Sequence, residues 1–196
     1  MHSNSYKPKA GNLKFEDINN DGKLGFEDKQ EIGNTVPKFT YGLSAGLRYM
    51  GFDLNLLFQG IGKAHAYTQS DYTQMSYEYQ TISKKWRDAW SPENPDSKVP
   101  GLKFDNSWDQ QQSSYWAHRI DFLKLKNMQL GYALPQHLAS RIRMDKVYIY
   151  ANAQNVFTLM WHKGYEGMDP ERNTFGDGAG FYATPVALTF GINVNF

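Results

Sequence analysis

The chain has no cysteine in its 196 residues, which removes disulfide frameworks, thiolate metal centres and cysteine nucleophiles. No stretch approaches the roughly 18 apolar residues of a membrane-spanning helix, and the opening MHSNSYKPKAGNL lacks the apolar core of a secretory signal. If these residues meet a membrane, they do so as strands. Excess charge is missing too: 21 basic and 20 acidic residues leave a net +1, and there is no electrostatic case for nucleic acid or an acidic partner. His2, His65, His118, His137 and His162 show no metal-ligand spacing, and there is neither a nucleophile elbow nor a phosphate loop. Asp71 and Asp169 read as solvated loop carboxylates, and the chain is not expected to be an enzyme.

What is present is aromatic and glycine-rich. Aromatics make up 15%, with 13 Tyr and 17 Gly, yet the mean hydropathy is −0.65. That pairing fits either a carbohydrate-binding β-domain or an outer-membrane barrel. The closing stretch PVALTFGINVNF separates by parity: Val186, Leu188, Phe190, Ile192, Val194 and Phe196 against small or polar residues. Such alternation marks a strand with one apolar face. Phe39 to Tyr49 and Phe52 to Gln59 alternate likewise across Met50-Gly51, which reads as a hairpin. In RIDFLKLKNMQLGYAL, Leu123 and Leu125 share one parity, and Met128, Leu130 and Tyr132 the other, so a β-bulge near Lys126-Asn127 resets the phase. KVYIYANAQNVFTL puts Val147, Ile149, Ala151, Ala153 and Phe157 on the apolar side, with Tyr148, Tyr150, Asn152 and Gln154 opposite.

Five long strands result, of the roughly 9–11 residues that cross a bilayer when tilted. Their connections alternate short and long, and aromatics sit near the strand ends, as in outer-membrane barrels. The longest connection, residues 60–117, carries Met75, Tyr79, Ile82, Trp86 and Ala89 at helical spacing, so a short helix is expected inside it.

The ordered series GNLKFEDINNDGKLGFED, PKFTYGLSAGLRYMGFDLNLLFQG, FLKLKNMQLGYALP, VYIYANAQNVFTL, YEGMDPE and LTFGINVNF resembles the C-terminal part of the SusC/RagA family. These are TonB-linked outer-membrane transporters of Gram-negative, Bacteroidetes-type bacteria. The resemblance implies an all-β fold: the last antiparallel transmembrane strands of a 22-stranded barrel. It implies import of glycans or peptides with a SusD-like surface lipoprotein, and TonB coupling through an N-terminal region missing from this sequence. It also implies that the terminal aromatic Phe196, together with Phe190, forms the signal read by the barrel-assembly machinery. Against the family the chain is far too short, so an excised fragment, a truncated reading frame or a relic is expected. Residues 1–36 then form a polar loop, and 37–196 form barrel strands and external loops.

Two further site readings come from the residues themselves. Asp17, Asn19, Asp21, Lys23 (through its carbonyl) and Asp28 follow the D-x-[DN]-x-[DN]-G calcium-loop order, with Gly22 at the turn. Either a structural Ca2+ or a self-contained Asx-rich turn satisfies this pattern. Trp108 and Trp116, in polar surroundings, are candidates for stacking on a ligand, whereas the helical stripe makes Trp86 a core residue. The alternative to the transporter is a soluble, calcium-stabilised β-sandwich that binds carbohydrate.

Overall fold

The computed structural model describes residues 8–68, 84–102, 108–165, 167–171 and 183–196. Its frame is one antiparallel sheet built from β1 (Phe39–Tyr49), β2 (Phe52–Gly62), β5 (Phe122–Ala133), β6 (Lys146–Met160) and β7 (Ala187–Asn195), in that spatial order. A second, two-stranded ribbon pairs β3 (His65–Tyr67) with β4 (Ala117–Arg119).

Pairing keeps the apolar parity of every strand on one face. Leu43 faces Phe58, which faces Leu125, which faces Phe157; Leu54 faces Leu130, then Ala151, then Phe190. The bulge falls where the phase of β5 changes: Lys126 has no partner in either register, so Leu125 and Met128 both reach the apolar face. Opposite it on β6, Asn155 takes a left-handed φ of 54°. The β1–β2 turn has positive φ at both Met50 (46°) and Gly51 (85°), the type I′ geometry whose twist matches the flanking strands.

The apolar face is uncovered. Leu43, Leu47, Leu188, Phe190 and Ile192 are each 63–79% exposed. Among the described residues no second sheet covers that face, which removes the two-sheet sandwich. The strands form part of an antiparallel barrel wall that five strands do not close.

Short turns gather at one end of the sheet. The β1–β2 turn lies there, as does the β5–β6 connection, which contains α1 (Gln136–Ala139) and a 3-10 turn at Ser140–Ile142. The Asp145 amide also donates to the Asn195 carbonyl there, at 2.9 Å. At the opposite end the long connections form a separate layer. Its core holds Ala64, Ala66, Ile120 and Tyr165, with Ile61, Met160 and Met168 against it. Residues 8–36 join this layer. The Asn12 side chain and Leu13 amide donate to Asp109 at 2.9 and 2.6 Å, and the Asn34 carbonyl accepts from the His65 amide at 2.8 Å. Met75, Tyr79 and Ile82 of the expected helix lie outside the described residues. Its end is a 3-10 turn, Lys84–Asp88, with Trp86 buried inward.

Candidate functional site

The sheet's other face is polar and ordered by its own contacts. Tyr148 donates its hydroxyl to Asp53 at 2.9 Å, and the Asn152 amide donates to Asn127 at 2.6 Å. Tyr148 and Tyr150 stack with ring centroids 5.9 Å apart. Each lies over a glycine of a neighbouring strand, Tyr148 over Gly131 and Tyr150 over Gly191, where a Cβ would overlap the ring. The glycines let the rings lie flat along the wall, an arrangement that pins strand register. Towards the short-turn end this face bounds an open cavity of about 800 Å³, lined by Arg48, Asp53, Asn55, Gln129, Lys146 and Tyr148 among others. Tyr148, Tyr150, Asn152 and Gln154 thus occupy the side opposite the apolar stripe, as the alternation requires.

Near the long-loop end the same face carries charge. Lys124 Nζ lies 3.1 Å from Asp169 and 2.6 Å from Glu171, and Lys126 Nζ lies 3.0 Å from Glu171. The Lys124 and Asp169 side chains are only 4% and 5% exposed. Asp169, expected to be a solvated loop carboxylate, is therefore a buried anchor. Burial alone would raise its pKa, but the Thr184 and Glu171 amides and the Lys124 ammonium outweigh that and bring it down to about 2. Its partner Lys124 lies 45 residues away, so no local pattern in the sequence could have revealed the pair. Asp121, just before β5, joins three segments: it accepts from the Ala64 amide at 3.2 Å, pairs with Arg119 and faces His162 at 3.5 Å.

Trp108 and Trp116 are packing residues of the long-loop layer, 7% and 1% exposed. The Trp108 indole donates to the Leu13 carbonyl at 2.8 Å and meets Phe15 edge-on; the Trp116 indole donates to the Asp109 carbonyl at 2.9 Å. Lys85 sits over the Trp116 ring, 5.3 Å from its centroid. Ligand stacking was expected because their sequence neighbours are polar. Of those polar neighbours Asp109 turns inward, accepting from the Leu13 amide and the Asn12 side chain, and the indoles fill the interior beside it.

The 17–28 loop is a chain of side-chain-to-amide bonds. Asp17 accepts from the Asp21 and Gly22 amides, Asn19 from Asp21, Asp21 from Lys23, and Asp28 from Ile18 and Gly25, at 2.7–3.2 Å. The Gly25 amide leads the causes that hold the Asp28 carboxyl below its usual range. Gly22 supplies a φ of 78° at the loop's tip. This is the hydrogen bonding of an Asx-rich turn. Among the described residues no group of three or more His, Asp or Glu side chains is placed to hold a metal ion. Phe190 sits at mid-strand on the apolar face, and Phe196 follows β7 with the same parity; they are 79% and 88% exposed.

No family model matches the chain. The TonB-dependent receptor P3 of Formosa agariphila is 29% identical over 179 residues, covering 90% of this chain and 17% of that protein. The TonB-dependent receptor SusC of Bacteroides thetaiotaomicron is 24% identical over 184 residues, covering 93% of this chain and 17% of its own length. Among solved structures, the RagAB peptide transporter superposes with a TM-score of 0.64 and 25% identity, over 83% of this chain and 17% of that one. The chain thus spans about a fifth or less of the relatives it matches. Its resemblance to SusC/RagA-type TonB-dependent receptors is shown in both sequence and fold.

Proposed function

We propose that this SusC/RagA-like chain supplies the C-terminal strands of a TonB-dependent outer-membrane transporter in a Bacteroidetes-type bacterium. One observation carries the reading. A single sheet exposes a continuous apolar face, including Leu188, Phe190 and Ile192, while its other face holds hydrogen-bonded tyrosines, amides and ion pairs. Only a wall with lipid on one side and a polar lumen on the other makes both faces stable.

In this reading the short-turn end faces the periplasm and the long-loop layer faces outward. The substrate is a glycan or a peptide, and the outer layer meets a SusD-like lipoprotein. TonB acts through a region N-terminal to these strands, and Phe190 and Phe196 present the assembly signal to the barrel-assembly machinery. A structural calcium in the 17–28 loop is a further part of the proposal, supported by the order of Asp17, Asn19, Asp21, Lys23 and Asp28. The test is cell fractionation. The chain is expected in the outer membrane, released only by detergent and co-purifying with a surface lipoprotein. Recovery as a soluble monomer without detergent refutes the reading.

A further inference from the structure

Leaving β6 at Met160, the chain does not project away from the wall. It turns back, buries Tyr165 in the layer's core, and places Asp169 and Glu171 on Lys124 and Lys126. Lys124 pairs with Thr158, two steps inside the Phe122–Met160 pair at the rim. The segment therefore lies along the polar face of the wall, below its edge. Asp169 does more than pair with a lysine. Its two oxygens accept from the Glu171 amide at 3.1 Å and the Thr184 amide at 2.8 Å, so one carboxylate ties together the departing and returning ends of the β6–β7 connection.

We propose that Lys124 and Lys126 hold residues 167–171 as a charge-locked strap on the lumen wall, with Asp169 as the knot closing the neck of the β6–β7 connection. Removing the Lys124 ammonium leaves a buried carboxylate without its cation, an arrangement a folded wall does not tolerate in place. The strap then swings out. Lys126, 28% exposed on its side chain and bound among the described residues to Glu171, contributes less. The lock does not open near neutral pH. The groups facing Asp169 are Lys124 and Glu171, with Lys126 behind Glu171 and Tyr165 alongside, and the low pKa of Asp169 keeps it charged. Release therefore requires a competing ion or mechanical pull. This inference rests on the lumen assignment above.

These residues contain no cysteine, so in a complete barrel whose remaining cysteines, where present, are replaced by serine, a single Met168→Cys reporter can be read in outer membranes. Its labelling by a membrane-impermeant maleimide should be slow, and Lys124→Met should accelerate it about tenfold or more, in keeping with loss of charge-assisted bonds. Lys126→Met should change it about two- to threefold. An unchanged rate in Lys124→Met, with heat-modifiable gel mobility intact, overturns the strap. Should Lys124→Met fail to assemble, Asp169→Asn, which keeps the shape and removes the charge, is read by the same criterion. A failed lumen assignment would show separately, as absence of the reporter from the outer-membrane fraction.

Discussion

Phe190 offers the sharpest test of which face meets lipid. Successive residues of a strand rise about 3.3 Å, so Phe190 sits about 10 Å from the Ala187 end of β7 and about 17 Å from Asn195, near mid-depth of the wall. It is 79% exposed and pairs with Ala151, while its neighbour Thr189 pairs with Asn152 on the polar face. Truncation to Ala removes an aromatic from lipid, a loss of about 1.5–3 kcal/mol by the burial scale for such a side chain. Phe190→Arg adds the cost of a cation at the bilayer midplane, about 2–4 kcal/mol, so the total should be about 3.5–7 kcal/mol. Thr189→Arg places the same cation in a polar lumen and should stay within about 1 kcal/mol of the parent. Val194→Arg, one residue from the end of β7, belongs near the interface and should cost about 0–1 kcal/mol for its charge. The assay is reversible denaturant unfolding of the complete barrel in lipid vesicles, followed by tryptophan emission. Equal losses at positions 189 and 190, or a larger loss at 194 than at 190, refute the lipid assignment.

Calcium should protect the 17–28 loop from proteolysis, and Asp21→Ala should abolish that protection by removing a charged ligand; calorimetry without heat at millimolar calcium leaves only the Asx-rich turn. The Asp169 carboxyl has its pKa lowered from 3.8 to about 2 in the folded chain, so it contributes stability above about pH 4 that is lost as pH falls towards 2. Asp169→Asn should therefore be less stable than the parent at neutral pH and converge with it near pH 2 in acid unfolding, and a constant gap across that range would contradict the assignment.

The five long strands were legible because each repeats one parity for most of its length, and because a lipid-facing stripe admits few polar interruptions. The bulge was legible for the same reason: Leu125 and Met128 cannot share a face unless one residue is skipped, and Lys126 is that residue. The β3–β4 ribbon escaped notice because three-residue strands are too short to alternate, and because His65–Tyr67 and Ala117–Arg119 meet across about 50 residues of connection. Asp109 illustrates the same limit. Buried to 1% and bonded to Asn12 and Leu13 more than 90 residues away, it knots the N-terminal segment to the loop layer, yet reads in sequence as one polar residue among glutamines. Trp86 was placed correctly by its helical spacing, since it is 4% exposed. Trp108 and Trp116, whose neighbours in sequence are polar, are 7% and 1% exposed, a burial that local polarity does not reveal.

The two parts of the chain obey different physics. The loop layer has its own core around Ile120, Tyr165 and Trp116, and satisfies Asp109 and Asp121 internally, while Asp169 ties it to Lys124 of the wall. The wall has no such independence. Among the described residues β1 and β7 each pair with a single neighbour, leaving one row of backbone donors and acceptors open on either edge. Neither strand contains a proline, and their only basic residue is Arg48, so the usual guards of a sheet edge are nearly absent. In lipid each open group costs several kcal/mol. In water the exposed stripe of Leu188, Phe190 and Ile192 would drive association instead. The smallest common membrane barrels use about eight strands to bring shear and diameter into agreement. Stability of the wall therefore depends on pairing and covering that these five strands alone do not provide.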